Sequence, residues 1–292
     1  MAIPDFYQIS SEVTHVLANA RDSQESIKAI LRLLTRSLAW DFGQLWIVDD
    51  RRFVLSCVAG WPSGSFPKFE QVSMARSFSL GEGLPGSAWQ ERQCLWKTDV
   101  REERNFPRAS VASEEGIVSG VAFPLHVPEG VLGVMEFFSR EERAPDQPLI
   151  DFCSALGGQI GVFLEHARLK SELKELDSQL RVLAEGASDA ILTIDEQSTI
   201  LFANSGVYRT FGYAPHELIG QKLTMLMPPE MAHRHELGLQ RFVKTGRKNI
   251  PWDGVNLPGL HKDGHQLQLT ISFAEFWREG KRIFTGFAKL AE

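Results

Sequence analysis

The sequence predicts an α+β chain of two domains joined by a long coiled-coil helix, and three observations carry that reading. The 292 residues are more than one ordinary domain holds and suit two. Short strand-like runs punctuated by turn residues alternate with helical patterns on both sides of a central segment. In that segment Val162, Leu169, Leu173, Leu176, Leu180 and Leu183 recur in steps of seven, four and three, the a/d spacing of a helix that pairs with another. The divisions fall at 1–165, 166–186 and 187–292.

The first element is an amphipathic helix over residues 23–38, where Ile27, Ile30, Leu31 and Leu34 share a face. Strands follow at 44–48 and 53–58, across the turn-like Asp49-Asp50-Arg51-Arg52. A long irregular region rich in Ser, Gly and Pro comes next. Within it Gly81-Glu82-Gly83-Leu84-Pro85-Gly86 sets tight turns before a short helix. Strands at 120–125 and 131–138 flank Pro128-Glu129-Gly130, and a helix from about residue 147 closes the unit and runs on into the leucine seam. His166 fills one seam position and weakens it, while Lys170, Glu172, Lys174, Glu175, Asp177 and Arg181 form a solvated charged face. About three heptads are short for a lone helix, so a second copy, packed in parallel, is the natural cover for the leucines. The other possible cover is the helix's own domain. After Gly186 come strands at 190–195 and 199–204 and short helices at 205–211 and 215–219. A longer helix begins at Pro229, a residue suited to a first helical turn, and closing strands turn at Lys262-Asp263-Gly264 and Arg278-Glu279-Gly280.

Composition narrows the function classes. An apolar fraction of 43% supports two cores, and a net charge of −6 spread along the chain argues against a nucleic-acid partner. The stretch 147–164 is interrupted by Asp151, Gly157, Gly158 and Gln159, too polar to cross a membrane, and the opening residues Met1-Ala2-Ile3-Pro4-Asp5 lack a signal-peptide pattern. A cytoplasmic location is expected. Cys57, Cys94 and Cys153 are odd in number and far apart, so they read as buried free thiols rather than disulfides or a zinc site.

Residues from about 23 to 165 resemble a GAF domain. The resemblance rests on Gly81-Glu82-Gly83-Leu84-Pro85-Gly86, Asn105-Phe106-Pro107-Arg108-Ala109, Ala122-Phe123-Pro124-Leu125 and Leu132-Gly133-Val134-Met135-Glu136-Phe137-Phe138. Residues from about 180 to 290 resemble a PAS domain, on Ala203-Asn204, Phe211-Gly212-Tyr213, Glu217-Leu218-Ile219-Gly220, Leu226-Met227-Pro228, His261-Lys262-Asp263-Gly264 and Phe284-Thr285-Gly286-Phe287. The resemblance implies two antiparallel sheets with flanking helices, each enclosing a pocket sized for a small molecule. It also implies the input region of a bacterial multi-sensor protein, governing an output domain such as a histidine kinase through a dimeric linker. That output is expected outside these residues, because no phosphoacceptor helix or ATP lid occurs before Glu292.

No catalytic set is expected. Gly81, Gly83 and Gly86 spell a dinucleotide fingerprint, but no strand is read in residues 74–79 ahead of them, and they are assigned to a turn. No serine occupies a nucleophile elbow. The candidate sites are therefore pockets. In the PAS half, Met231, His235, Leu239 and Phe242 form one helical face, with Ile271, Phe273 and Phe287 opposite. His235 is either a hydrogen-bonded core histidine or a ligand-binding one. Here the PAS half is similar to haem-binding PAS domains of oxygen-sensor kinases. That likeness implies His235 as the iron ligand, the chain's one metal-binding candidate, and Arg241 as a propionate contact. It departs at Val255 and Asn249, where that family carries polar residues, and at Phe273, whose ring fills space a porphyrin needs. In the GAF half Trp46, Trp89, Phe123 and Met135 are the pocket candidates, and residues 105–116 hold no cysteine to attach a bilin. The ligand is unknown from sequence. A haem sensor, and a structural dimerisation module with filled pockets, stand as the alternatives to a ligand-sensing module.

Overall fold

The structure, a computed structural model, describes residues 5–19, 23–62, 64–248 and 250–291. The chain divides into two compact units, 1–172 and 173–292. The first begins with α1 (Phe6–Ala18) and α2 (Ser23–Ser37). The amphipathic pattern expected over 23–38 is α2; α1, capped by the Asp5 side chain, was not anticipated. Strands β1 (Phe42–Asp49), β2 (Val54–Trp61), β3 (Ser77–Ser79), β4 (Leu95–Lys97), β5 (Ser119–Val127) and β6 (Gly130–Ser139) form one sheet in the order β3-β2-β1-β6-β5-β4. Every pairing in it is antiparallel. Helices α3 (Pro67–Ala75), α4 (Gly83–Glu91) and α5 (Ala109–Glu115) lie within the region expected to be irregular, where β3 and β4 also form.

The sheet carries two cores, one on each face. Ile30, Leu31 and Leu34 of α2 and Leu156 and Ile160 of the long helix α6 (Gln147–Gly186) pack on Leu45, Phe123 and Met135. Phe69, Leu84, Trp89 and Ala112 of α3, α4 and α5 pack on Phe42, Trp46, Val134 and Phe138. Both faces being covered explains why β5 and β6 read as nearly continuous apolar runs instead of alternating. Helix α6 lies very close to β5: a Cβ on Gly157 would strike the Pro124 carbonyl oxygen, and one on Gly161 that of His126. Only glycine allows this approach.

The 40-residue α6 is unbroken to Gly186. Its buried residues end at Leu164, and Leu169, Leu173, Leu176, Leu180 and Leu183 are all exposed. In the second unit, β7 (Ala190–Ile194), β8 (Ile200–Ala203), β9 (Val255–Leu260), β10 (Gln266–Arg278) and β11 (Lys281–Leu290) form an antiparallel sheet ordered β8-β7-β11-β10-β9. Short helices α7 (Gly206–Phe211) and α8 (Pro215–Leu218), a 3₁₀ turn at Leu223–Leu226 and α9 (Pro229–Thr245) separate β8 from β9. The fully buried Asn204 is the joint between this sheet and the end of α6. Its Oδ1 accepts from Ile191 N–H at 2.8 Å, and its Nδ2 donates to the carbonyls of Ala184 and Asp189 at 2.8 and 2.9 Å. Among the described residues no helix is long and apolar enough to cross a membrane.

Candidate functional site

The four GAF pocket candidates are divided by the sheet. Trp46 and Trp89 face α3–α5, whereas Phe123 and Met135 lie on the opposite face under α2 and α6. Strand parity explains it: Met135 is the residue between Val134 and Glu136, which face the other way. Phe123 and Met135 thus share no pocket with the two tryptophans.

What lies beside Trp46 is an internal ion pair that sequence reading missed. Arg108 enters from the N-terminal side of α5, and Glu136 projects from β6. The two side chains are completely buried, with Nη1 2.8 Å from Glu136 Oε1 and Nη2 donating to Oε2 at 2.9 Å. Nη1 also lies within hydrogen-bond reach of Gln44 Oε1 and Ser73 Oγ, at 3.0 and 2.8 Å, and Trp46 Nε1 donates to Glu136 Oε1 at 2.7 Å. The guanidinium lies 4.5–5.4 Å from the ring centres of Trp46, Phe69, Phe78, Phe106 and Phe138. Rings and cation together fill this side of the sheet. The signal for it was Glu136, a lone carboxylate in an otherwise apolar strand, which demands a cation.

The glycine-rich segment is a turn, with one correction: β3 does precede it and α4 follows. That strand has three residues and pairs antiparallel with β2, so no parallel crossover unit forms. Asn105 occupies the loop's polar groups, accepting from Gly83 N–H at 2.9 Å and donating to the Gly81 carbonyl at 2.8 Å. The three cysteines are free. Cys153 is buried, but Cys57 and Cys94 are only half-buried, against expectation. Burial pushes the Cys57 and Cys94 thiols up to about 12, and Cys153 well above its usual range, so none is a thiolate at neutral pH.

In the PAS half, α9 turns Phe242 into the core, against Trp252 at 5.3 Å and Phe284 at 5.8 Å; Trp252 meets Phe273 at 6.3 Å. Met231, His235, Leu239, Ile271 and Phe273 are half-buried; Leu239 and Ile271 pack against this core, and Phe273 meets it at Trp252. Phe287 does not join them. Phe284, Gly286 and Ala288 take the inward positions of β11, Gly286 standing opposite Phe273, and Phe287 is exposed on the far face. Trp252, unremarked in the sequence, takes the place assigned to it. Arg241 is exposed, and Asn249 lies outside the described residues.

His235 reaches the β7–β8 turn. Its Nε2 shares a 2.8 Å hydrogen bond with Ser198 Oγ, and Ser198 is buried. Burial lowers the imidazole's pKa from the usual 6.5, with Glu236 opposing, so the ring is neutral at neutral pH. The ring nitrogen an iron would need is thus engaged by Ser198. The residues present do not fit a haem.

The comparisons agree with this architecture. The family model for the GAF domain matches residues 20–165, half of the chain, and that for the PAS fold matches 178–283. The chain belongs to the GAF domain family and carries a PAS domain after it. Sensor protein FixL of Bradyrhizobium diazoefficiens is 29% identical over 132 residues, 44% of this chain and 26% of the relative. The methyl sulfide methyltransferase-associated sensor of Methanosarcina acetivorans is 28% identical over 141 residues, 47% of this chain and 14% of the relative. The chain therefore spans about a quarter or less of these curated relatives. Among solved structures, the GAF domain of a phosphoenolpyruvate-protein phosphotransferase from Coxiella burnetii superposes with a TM-score of 0.51 at 18% identity. It covers 57% of this chain and 97% of that domain, a likeness of fold. GAF and PAS are sensory domains, and the relatives just described are named as sensors.

Proposed function

We propose that this chain is the non-catalytic, cytoplasmic input region of a signalling protein, divided 1–165, 166–186 and 187–292. Two copies are held in parallel through α6, and an output domain such as a histidine kinase is governed through that helix. The observation that carries this reading is the unbroken α6, which leaves the GAF sheet and presents Leu169, Leu173, Leu176, Leu180 and Leu183 to solvent at a/d spacing. That five such leucines lie uncovered on one protomer favours a second copy over the helix's own domain. In light scattering the unmodified chain is expected to be a dimer. Leu173→Glu with Leu176→Glu should give a folded monomer, since their side chains, 69% and 54% exposed, support neither domain core. A monomeric unmodified chain at high concentration would overturn the reading.

The two domains divide the labour within it. The GAF interior, closed by Arg108, Glu136 and five rings, is a structural scaffold, which takes up part of the filled-pocket alternative. The half-buried set Met231, His235, Leu239, Ile271 and Phe273 is the face that a small, mostly apolar ligand would use, with His235 and Ser198 as its polar handle. Haemin added to the purified chain is expected to give no Soret band. A band that disappears in His235→Ala would reverse that conclusion and restore the haem alternative.

A further inference from the structure

One convergence of side chains lies apart from both domain interiors and from the α6 seam. His261, Asp263 and His265 occupy the turn between β9 and β10. The backbone creates the arrangement. His261 N–H donates to the His265 carbonyl and Gly264 N–H to the His261 carbonyl, both at 2.9 Å, closing a tight reversal. Gly264 takes φ +95°, a conformation a side chain would resist. Closure sets the two imidazoles face to face, 4.5 Å between centres and 23° from parallel. Both aim Nδ1 at the same carboxylate: Asp263 Oδ1 is 2.9 Å from His261 Nδ1 and 2.5 Å from His265 Nδ1.

The turn is also pinned. Lys262 N–H donates to the Phe211 carbonyl at 2.9 Å, and the His261 ring packs against Gly212. The cation carried by the turn is drawn away, because Lys262 Nζ donates to both carboxylate oxygens of Glu217 at 2.6 and 2.8 Å. The Nδ1 of His261 is meanwhile in conflict. It faces the Asp263 N–H, a donor, at 3.3 Å and the Asp263 carboxylate, an acceptor, so no single tautomer satisfies both.

We propose that His261, Asp263 and His265 form a binding site for a divalent transition metal of the zinc class, two imidazole nitrogens and one carboxylate oxygen holding one side of the ion. Three protein ligands of this kind match zinc's open sites, where water or another ligand completes the coordination. Two imidazoles among three donors argue against magnesium and calcium, which take oxygen. A cation between the groups lets both rings present Nδ1 lone pairs together, which ends the conflict at His261. Ligands about 2.0–2.1 Å from a tetrahedral zinc stand about 3.3 Å apart, further than Asp263 Oδ1 stands from either Nδ1, so the exposed carboxylate moves outward to admit the ion. The ion would then tie β9 to β10 at their open tip.

Zinc chloride titrated into the full chain, in competition with a chromogenic chelator, is expected to show one equivalent taken up per chain. His265→Ala should weaken that uptake by more than about a hundredfold, beyond what loss of a supporting contact to a ligand produces. Its ring is half-exposed, so the fold should survive, and Asp263→Asn, also at an exposed side chain, provides a second variant. Zinc should also raise the melting temperature of the unmodified chain and leave that of His265→Ala unmoved, because binding stabilises only the state that holds the site. No stoichiometric uptake by the unmodified chain would overturn the proposal. So would uptake that stays unchanged in both folded variants, which would assign the binding to other histidines.

Discussion

Replacing Glu136 by leucine is expected to destabilise the GAF domain by about 3–5 kcal/mol, the usual loss when one partner of a buried ion pair is removed. The guanidinium of Arg108 would remain fully buried with no countercharge, and Trp46 Nε1 would lose its acceptor. The physical cause is the stranded charge rather than the lost attraction. It follows that Arg108→Met combined with Glu136→Leu should recover most of the loss, and the two changes should be strongly non-additive. Urea unfolding of the four chains completes the cycle. A single Glu136→Leu cost below about 1 kcal/mol would show that the carboxylate is not what holds Arg108 inside.

Phe242→Ala should cost the PAS domain about 3–5 kcal/mol, because the ring is buried against Trp252 and Phe284 and its removal leaves a cavity. Phe273→Ala should cost clearly less, since Phe273 is half-buried and touches only the edge of that cluster, at Trp252. The order of the two is the test. Equal losses would mean that the face around His235 is packed shut, and that the PAS half too is scaffold instead of receptor.

The elements with strong local periodicity were legible: α2, the β1–β2 and β5–β6 hairpins, α9, and above all α6 with its leucines. Irregular composition hid α3 as well as β3 and β4, because edge strands of three residues and a helix rich in polar residues leave little pattern to read, whereas α1 was missed although Ile9, Val13 and Leu17 stand at helical spacing. Phe287 was misplaced for a different reason. Gly286 fills the inward position opposite Phe273 with no side chain, so counting aromatic residues pointed to the wrong parity. The Arg108–Glu136 pair joins residues 28 apart in sequence through a sheet and a loop. Each half was visible, Glu136 as an oddity in its strand and Arg108 as part of a motif, but neither names the other. His235 was legible as a polar residue on an apolar face; its partner Ser198, on a separate hairpin, was not.

Gly157 and Gly161 give α6 a property that its leucines do not. Where most helices rest on a sheet through side chains, which can switch rotamers and absorb a displacement, this one bears directly on the carbonyls of Pro124 and His126. At those two points the joint has no cushioning, although Leu156 and Ile160 pack beside them through side chains. The same strand borders the charged interior on its other face, since Glu136 of β6 stands opposite Ala122 of β5, two residues before Pro124. At these two points a slide of β5 meets the helix backbone itself, with no side chain between them to give way. Adding even one methyl group at either glycine would lift the helix from its bearing and soften that contact while leaving every leucine in place.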